Sequence, residues 1–112
     1  QGSVLFFNAD HVKARLDDII ASSPADLRWI VIDASAITQI DTTAADMLLG
    51  IRTRLQRRGI IMAFAEVQSS VAALLQRAGL SAEDGQTLFF DDLDDAFHAF
   101  KAAVGAPRGK PV

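Results

Sequence analysis

Residues 30–49 read IVIDASAITQIDTTAADMLL, and this stretch decides the fold. Ile30, Val31 and Ile32, led by Trp29, form a continuous apolar run of largely strand-favouring residues. A run without polar alternation suits a central strand covered on both faces. It stops at Asp33. Residues 34–40 make a connection in which Ile37 and Ile40 turn inward. Asp41-Thr42-Thr43 then opens a segment where Ala44, Met47, Leu48, Ile51 and Leu55 recur at helical spacing. A strand ending in a carboxylate therefore leads, through a short connection, to a helix beginning with a hydroxyl pair. Both ends lie on one rim of a small α/β domain. Such a rim reads as a docking or phosphorylation surface and lacks the parts of a complete enzyme active site.

The rest of the chain repeats the alternation. Residues 4–7, VLFF, read as a first strand, and Asn8 is placed to cap a helix over residues 9–21. Val12, Leu16, Ile19 and Ile20 make that helix's apolar stripe, and Ser22-Ser23-Pro24-Ala25-Asp26 stops it. In the second helix Thr42 or Thr43 is the expected cap, and Thr43 with Asp46 makes a shortened capping box. Arg54, Arg57, Arg58 and Gly59 favour its termination. Residues 60–65 form a third strand. A third helix starts at Gln68 or Ser69, turns Val71, Leu74 and Leu75 inward, and stops at Gly79. Residues 88–90 form the last strand. Asp91 or Asp92 caps a terminal helix carrying Leu93, Ala96, Phe97 and Phe100. The seven phenylalanines read mainly as core, with one member of the Phe89-Phe90 pair free for a partner. The expected fold is α/β, an about four-stranded, mainly parallel sheet with about four helices joined by right-handed crossovers.

Composition fits one domain. The 112 residues are 50% hydrophobic, and the mean hydropathy is +0.22, too apolar for general disorder. The expected boundaries are residues 4–103 for the domain and 104–112 for a flexible tail. Gln1-Gly2-Ser3 reads as a cloning or protease-site remnant, and the abrupt apolar start at Val4 reads as a fragment of a longer protein. The net charge is −3, which points away from nucleic acid. Arg52, Arg54, Arg57 and Arg58 read as a solvated helix face. There is no cysteine, so thiolate and disulfide chemistry are excluded. His11 and His98 are far apart in sequence, and no metal or cofactor is expected. No apolar run approaches the ~18–20 residues needed to span a bilayer.

Asp33 and Asp41 are the candidate acids of the rim. Paired carboxylates at strand ends suit metal or phosphoryl chemistry. The sequence holds no phosphate-binding glycine loop and no histidine beside a nucleophile. The simpler reading is that Asp33 accepts turn amides and Asp41 organises the helix entrance. A phosphate on Thr42 or Thr43 would add about −1.5 to −2 charge beside helix-terminal amides, which tolerate an anion. An anion or nucleotide at the same rim is a parallel reading.

The chain resembles the STAS domain (sulfate transporter and anti-sigma factor antagonist), and within it the cytoplasmic C-terminal domain of bacterial SulP-type anion transporters. The resemblance covers nearly all of residues 4–100. It rests on Val31-Ile32-Asp33-Ala34-Ser35-Ala36-Ile37 followed by Ile40-Asp41-Thr42-Thr43-Ala44, and on the phenylalanine-rich opening Val4-Leu5-Phe6-Phe7-Asn8-Ala9. Arg58-Gly59-Ile60, Leu75-Gln76-Arg77-Ala78-Gly79-Leu80 and Phe89-Phe90 extend it. It implies a noncatalytic regulatory and protein-interaction domain of a secondary transporter for sulfate, bicarbonate or a dicarboxylate. The implied whole protein sits in the bacterial inner membrane with this domain facing the cytoplasm. Its partners would be the membrane domain of the same protein, a cytosolic protein or a nucleotide ligand, and a second copy in a homodimer. The alternative is a free anti-sigma antagonist-like, phosphorylation-switched adaptor. In such antagonists an aspartate precedes two hydroxyl residues and a glycine, and the second hydroxyl is phosphorylated. Asp41, Thr42 and Thr43 match the first three positions, so the resemblance makes Thr43 the phosphorylation candidate. Ala44 replaces the glycine and removes its backbone freedom. The family's usual first strand, ahead of residues 4–7, is missing.

Overall fold

The structure, a computed structural model, describes residues 2–8, 12–22, 25–81 and 87–105. Its elements alternate as expected: β1 (Ser3–Asn8), α1 (Val12–Ser22), β2 (Leu27–Asp33), α2 (Thr42–Arg57), β3 (Ile61–Ala65), α3 (Ser69–Ala78), β4 (Thr87–Phe90) and α4 (Leu93–Gly105). The four strands form one sheet in the order β1-β2-β3-β4, and each neighbouring pair is parallel. The expected α/β fold with a four-stranded parallel sheet is therefore present.

That strand order fixes the layers. Each βαβ unit steps one strand in the same direction, and right-handed crossovers then carry their helices over one face. Two contacts place α1 there beside α2: Arg15 lies over the Phe7 ring at 5.9 Å, and Arg54 pairs with Asp17 at 2.7 Å. Strand side chains alternate between faces. Leu5, Phe7, Ile30, Ile32, Met62, Phe64 and Phe89 meet Leu48, Leu55, Val71 and Leu75 of α2 and α3. Trp29, Val31, Ala63, Ala65, Leu88 and Phe90 meet Ala96 and Phe100 of α4 on the opposite face. β2 supplies both cores: Ile30, Val31 and Ile32 are at most 1% exposed, as its unbroken apolar run requires.

Aromatic pairs brace both layers. Phe64 stacks on Phe89 at 5.4 Å. Trp29 stacks on Phe90 at 6.0 Å and meets Phe100 edge-on at 5.5 Å. Phe89 and Phe90 are both half-buried, one on each face, so neither is the free member expected of that pair. The exposed phenylalanines are Phe6 and Phe97, at 42% and 41%. The sequence reads both as core candidates. The cause is that α4 alone covers its face of the sheet among the described residues.

The stops fall where expected. Gly79 caps α3 in the left-handed region at φ 108°, and Gly59 follows α2 at φ 72°. Asp92, not Asp91, caps α4 by accepting the Asp95 amide at 2.8 Å. Glu66 is a left-handed residue that the sequence does not announce, at φ 60°. Its amide donates to the Phe90 carbonyl at 3.0 Å, tying the end of β3 to the end of β4. Asn8 ends β1. Its expected capping partners in residues 9–11 lie outside the described residues, as do the stripe side chains of α1 and the tail beyond residue 105.

Candidate functional site

Parallel strands put all their carboxyl ends on one rim, and the helices that follow start there. β2 ends in Asp33, which is half-buried. Its Oδ1 accepts the Ser35 amide at 3.0 Å, closing the turn that carries the chain off the sheet. The Ala34 amide donates to the Ala65 carbonyl at 2.9 Å, so this turn is anchored to β3. Ile37 and Ile40 pack partly buried against the core under the connection. The chain therefore reaches Asp41 on a tethered path.

Asp41 is the N-cap of α2, with extended backbone at φ −99° and ψ 171°. Its Oδ1 accepts the Ala44 amide at 2.8 Å, and its carbonyl accepts the Ala45 amide at 3.0 Å. The cap is thus Asp41, and not Thr42 or Thr43 as the sequence led us to expect; the Thr43–Asp46 box does not form. The helix begins at Thr42, so both threonines occupy its first turn. Asp41, Thr42 and Thr43 are all exposed, Ala44 is half-buried, and Ala45 is fully buried. The buried Ala45 presses the turn onto the core and leaves the hydroxyl pair in front of it.

The two carboxylates of the rim are engaged separately. Asp33 serves the turn after β2, and Asp41 serves the helix start. Neither is held as a ligand, and no group of three or more His, Cys, Asp or Glu among the described residues is arranged to hold a metal ion. What the arrangement offers is shape and polarity. A fixed helix start presents two hydroxyls and first-turn amides, an end of the helix that favours negative charge.

One neighbour of the rim was missed by sequence reasoning. Thr42, Ala45 and Asp46 line a groove whose other wall is Leu74, Arg77 and Ala78 of α3. Arg77 comes from a segment about thirty residues downstream, and only the packing of α3 beside α2 brings it here. No local pattern signals that approach.

The fold is thus a small parallel α/β domain whose exposed rim carries a helix cap and two threonines. The STAS-domain family profile matches residues 1–96. This chain belongs to that family, whose domains are regulatory and not enzymes. Two Mycobacterium tuberculosis proteins, from strains CDC 1551 and H37Rv and each a probable sulfate transporter, are 33% identical to it over 96 residues. That stretch is 86% of this chain and 17% of each relative, so the chain spans about a sixth of the length of the curated relatives it matches. The crystal structure of a sulfate transporter family protein from Wolinella succinogenes superposes with a TM-score of 0.75 at 19% identity, covering 92% of this chain and 88% of that one. A candidate anti-sigma factor antagonist from Thermotoga maritima superposes with a TM-score of 0.60 at 13% identity, covering 86% and 80%. At those identities both likenesses speak to the fold alone.

Proposed function

We propose that this domain is the noncatalytic regulatory module of a SulP-like secondary anion transporter, carrying sulfate, bicarbonate or a dicarboxylate. In this reading the whole protein lies in the bacterial inner membrane and the domain faces the cytoplasm. The observation that carries it is the 33% identity, over 96 residues, to two probable sulfate transporters. Asp33, Asp41, Thr42, Thr43 and Ala44 form the contact surface, which engages the protein's own membrane domain, a cytosolic protein or a nucleotide. No helix among the described residues is long and apolar enough to cross a membrane, so transport itself belongs to other parts of such a protein.

The test is anion uptake by the full-length protein in vesicles, wild type against a form lacking residues 1–105. The proposal expects both to insert and the truncated form to transport with altered rate or regulation. Identical uptake and identical response to cytosolic extract would reject it. A reading frame without about a dozen apolar spans, the number the resemblance implies, would reject the transporter context outright.

A second reading is favoured by the helix start itself. Thr43 is exposed in the first turn of α2, where a phosphate would face helix-terminal amides. The domain would then act as a phosphorylation-switched adaptor. Incubation with a cognate ATP-dependent kinase followed by peptide mapping tests this. Stoichiometric phosphate on Thr43 supports the switch; an unmodified Thr43 removes it.

A further inference from the structure

A second groove opens where α3 meets the end of β4. Val67, Ala72, Gln76, Phe89, Phe90 and Asp91 line it. Helical residues advance ~100° each, which puts Ala72 and Gln76 about 170° around α3 from the Leu74, Arg77 and Ala78 side that faces α2. Arg77, the basic residue of α3, is therefore turned away from this groove. The floor is apolar and fixed from behind. Val67, Ala72, Phe89 and Phe90 are all half-buried, Phe89 is stacked on Phe64, and Phe90 is stacked on Trp29. The mouth is acidic. Asp91 is exposed, and the cap of α4 falls to Asp92, so the Asp91 carboxylate is not needed there. Glu66 is also exposed, and the bond from its amide to the Phe90 carbonyl holds it beside the end of β4.

Size and charge select the occupant. The groove holds about 280 Å³, below the ~300–1,000 Å³ of small-molecule sites. That is room for an apolar side chain and too little for a nucleotide. A preformed apolar floor with carboxylates at its mouth fits an aliphatic or aromatic anchor flanked by lysine or arginine. A contact this small falls short of the ~1,200–2,000 Å² that a stable interface between separate proteins buries. A segment tethered to the same chain arrives at high effective concentration and needs less. The matched stretch is 17% of the length of each curated relative, and the cytoplasmic loops of membrane proteins carry an excess of lysine and arginine.

We propose, on the transporter reading above, that this groove docks a lysine- or arginine-rich cytoplasmic loop of the membrane domain. An apolar side chain of the loop sits over Val67 and Phe89, and its cations face Asp91 and Glu66. The contact lies on the flank of α3 opposite the Thr42 groove, apart from the Asp33 and Asp41–Ala44 rim. Photo-crosslinking of the full-length protein in membrane vesicles tests this. A benzophenone amino acid replaces Gln76, which is exposed at the groove. A control replaces Arg57, exposed at the far end of α2. Peptide mapping should find the position-76 probe joined to a basic cytoplasmic loop, at about tenfold the yield from position 57. Asp91→Lys combined with Glu66→Lys should cut that yield about tenfold. Both positions are exposed, and circular dichroism of the 112-residue chain checks that the doubly substituted form folds. Capture by lipid, by a second copy of the chain or by no loop overturns the proposal, as does a yield indifferent to the charge reversal. Those outcomes leave the transporter reading standing wherever deletion of the domain still alters uptake. A reading frame without membrane spans overturns both.

Discussion

Asp41 and the threonines after it divide two tasks that one residue type is able to perform. The carboxylate caps α2 through the Ala44 amide, which leaves both hydroxyls exposed. Asp41→Ala should therefore cost about 1 kcal/mol in urea unfolding, the usual loss for an N-cap, while Asp41→Asn should retain most of that stability. Thr42→Ala and Thr43→Ala should each change stability by less than about 0.5 kcal/mol. Equal losses at Asp41 and Thr43 would mean that the hydroxyl shares the cap. The proposed function makes a further demand. Thr43→Glu should fold as well as the wild type, because a helix start accepts negative charge, yet bind its partner with altered affinity, because a complementary surface does not. Isothermal titration against the membrane-domain loops or a cytosolic partner reads this directly. Equal binding by the two folded proteins would remove Thr43 from the centre of any switch.

At the scale of elements, two glycines of similar exposure should respond with opposite sign. Gly50 lies within α2, and a Cβ there would meet nothing within 4 Å. Gly50→Ala should stabilise by about 0.5–1 kcal/mol, since glycine is a poor helix former. Gly79 stands at φ 108°, a conformation that L side chains rarely adopt. Gly79→Ala should cost about 1 kcal/mol or more. Chemical denaturation of the two variants checks both. The Gly79 stop was legible because its backbone need is written in the residue type. So was β2, whose unbroken apolar run can only be buried on both faces. The cap of α2 was less legible, since aspartate and threonine are both good caps and the start of a helix is uncertain by a residue. Glu66 was not legible at all: glutamate carries no left-handed preference, and its conformation is set by the bond to Phe90 across the sheet. Nor could the sequence place Arg77 beside Thr42 and Asp46, because that meeting is a product of helix packing.

Across the whole molecule the order β1-β2-β3-β4 sends α1, α2 and α3 to one face and leaves α4 to cover the other. This unequal layering explains why Phe6 and Phe97, apolar in sequence, are exposed in the fold. It also separates the two cores optically. The chain has a single tryptophan and no tyrosine. Trp29 is 4% exposed and lies on the α4 side, against Phe90 and Phe100. Its fluorescence therefore reports the seating of one helix. Leu75→Ala, in the opposite core, should cost about 2–5 kcal/mol yet leave the native emission maximum where it was. Phe100→Ala should cost a similar ~3–5 kcal/mol and shift the native emission to the red as water reaches the indole. Anything that lifts α4 without unfolding the sheet would produce the same red shift while the far-ultraviolet helix signal persists, so the domain carries its own lamp for the one layer that a single helix holds down.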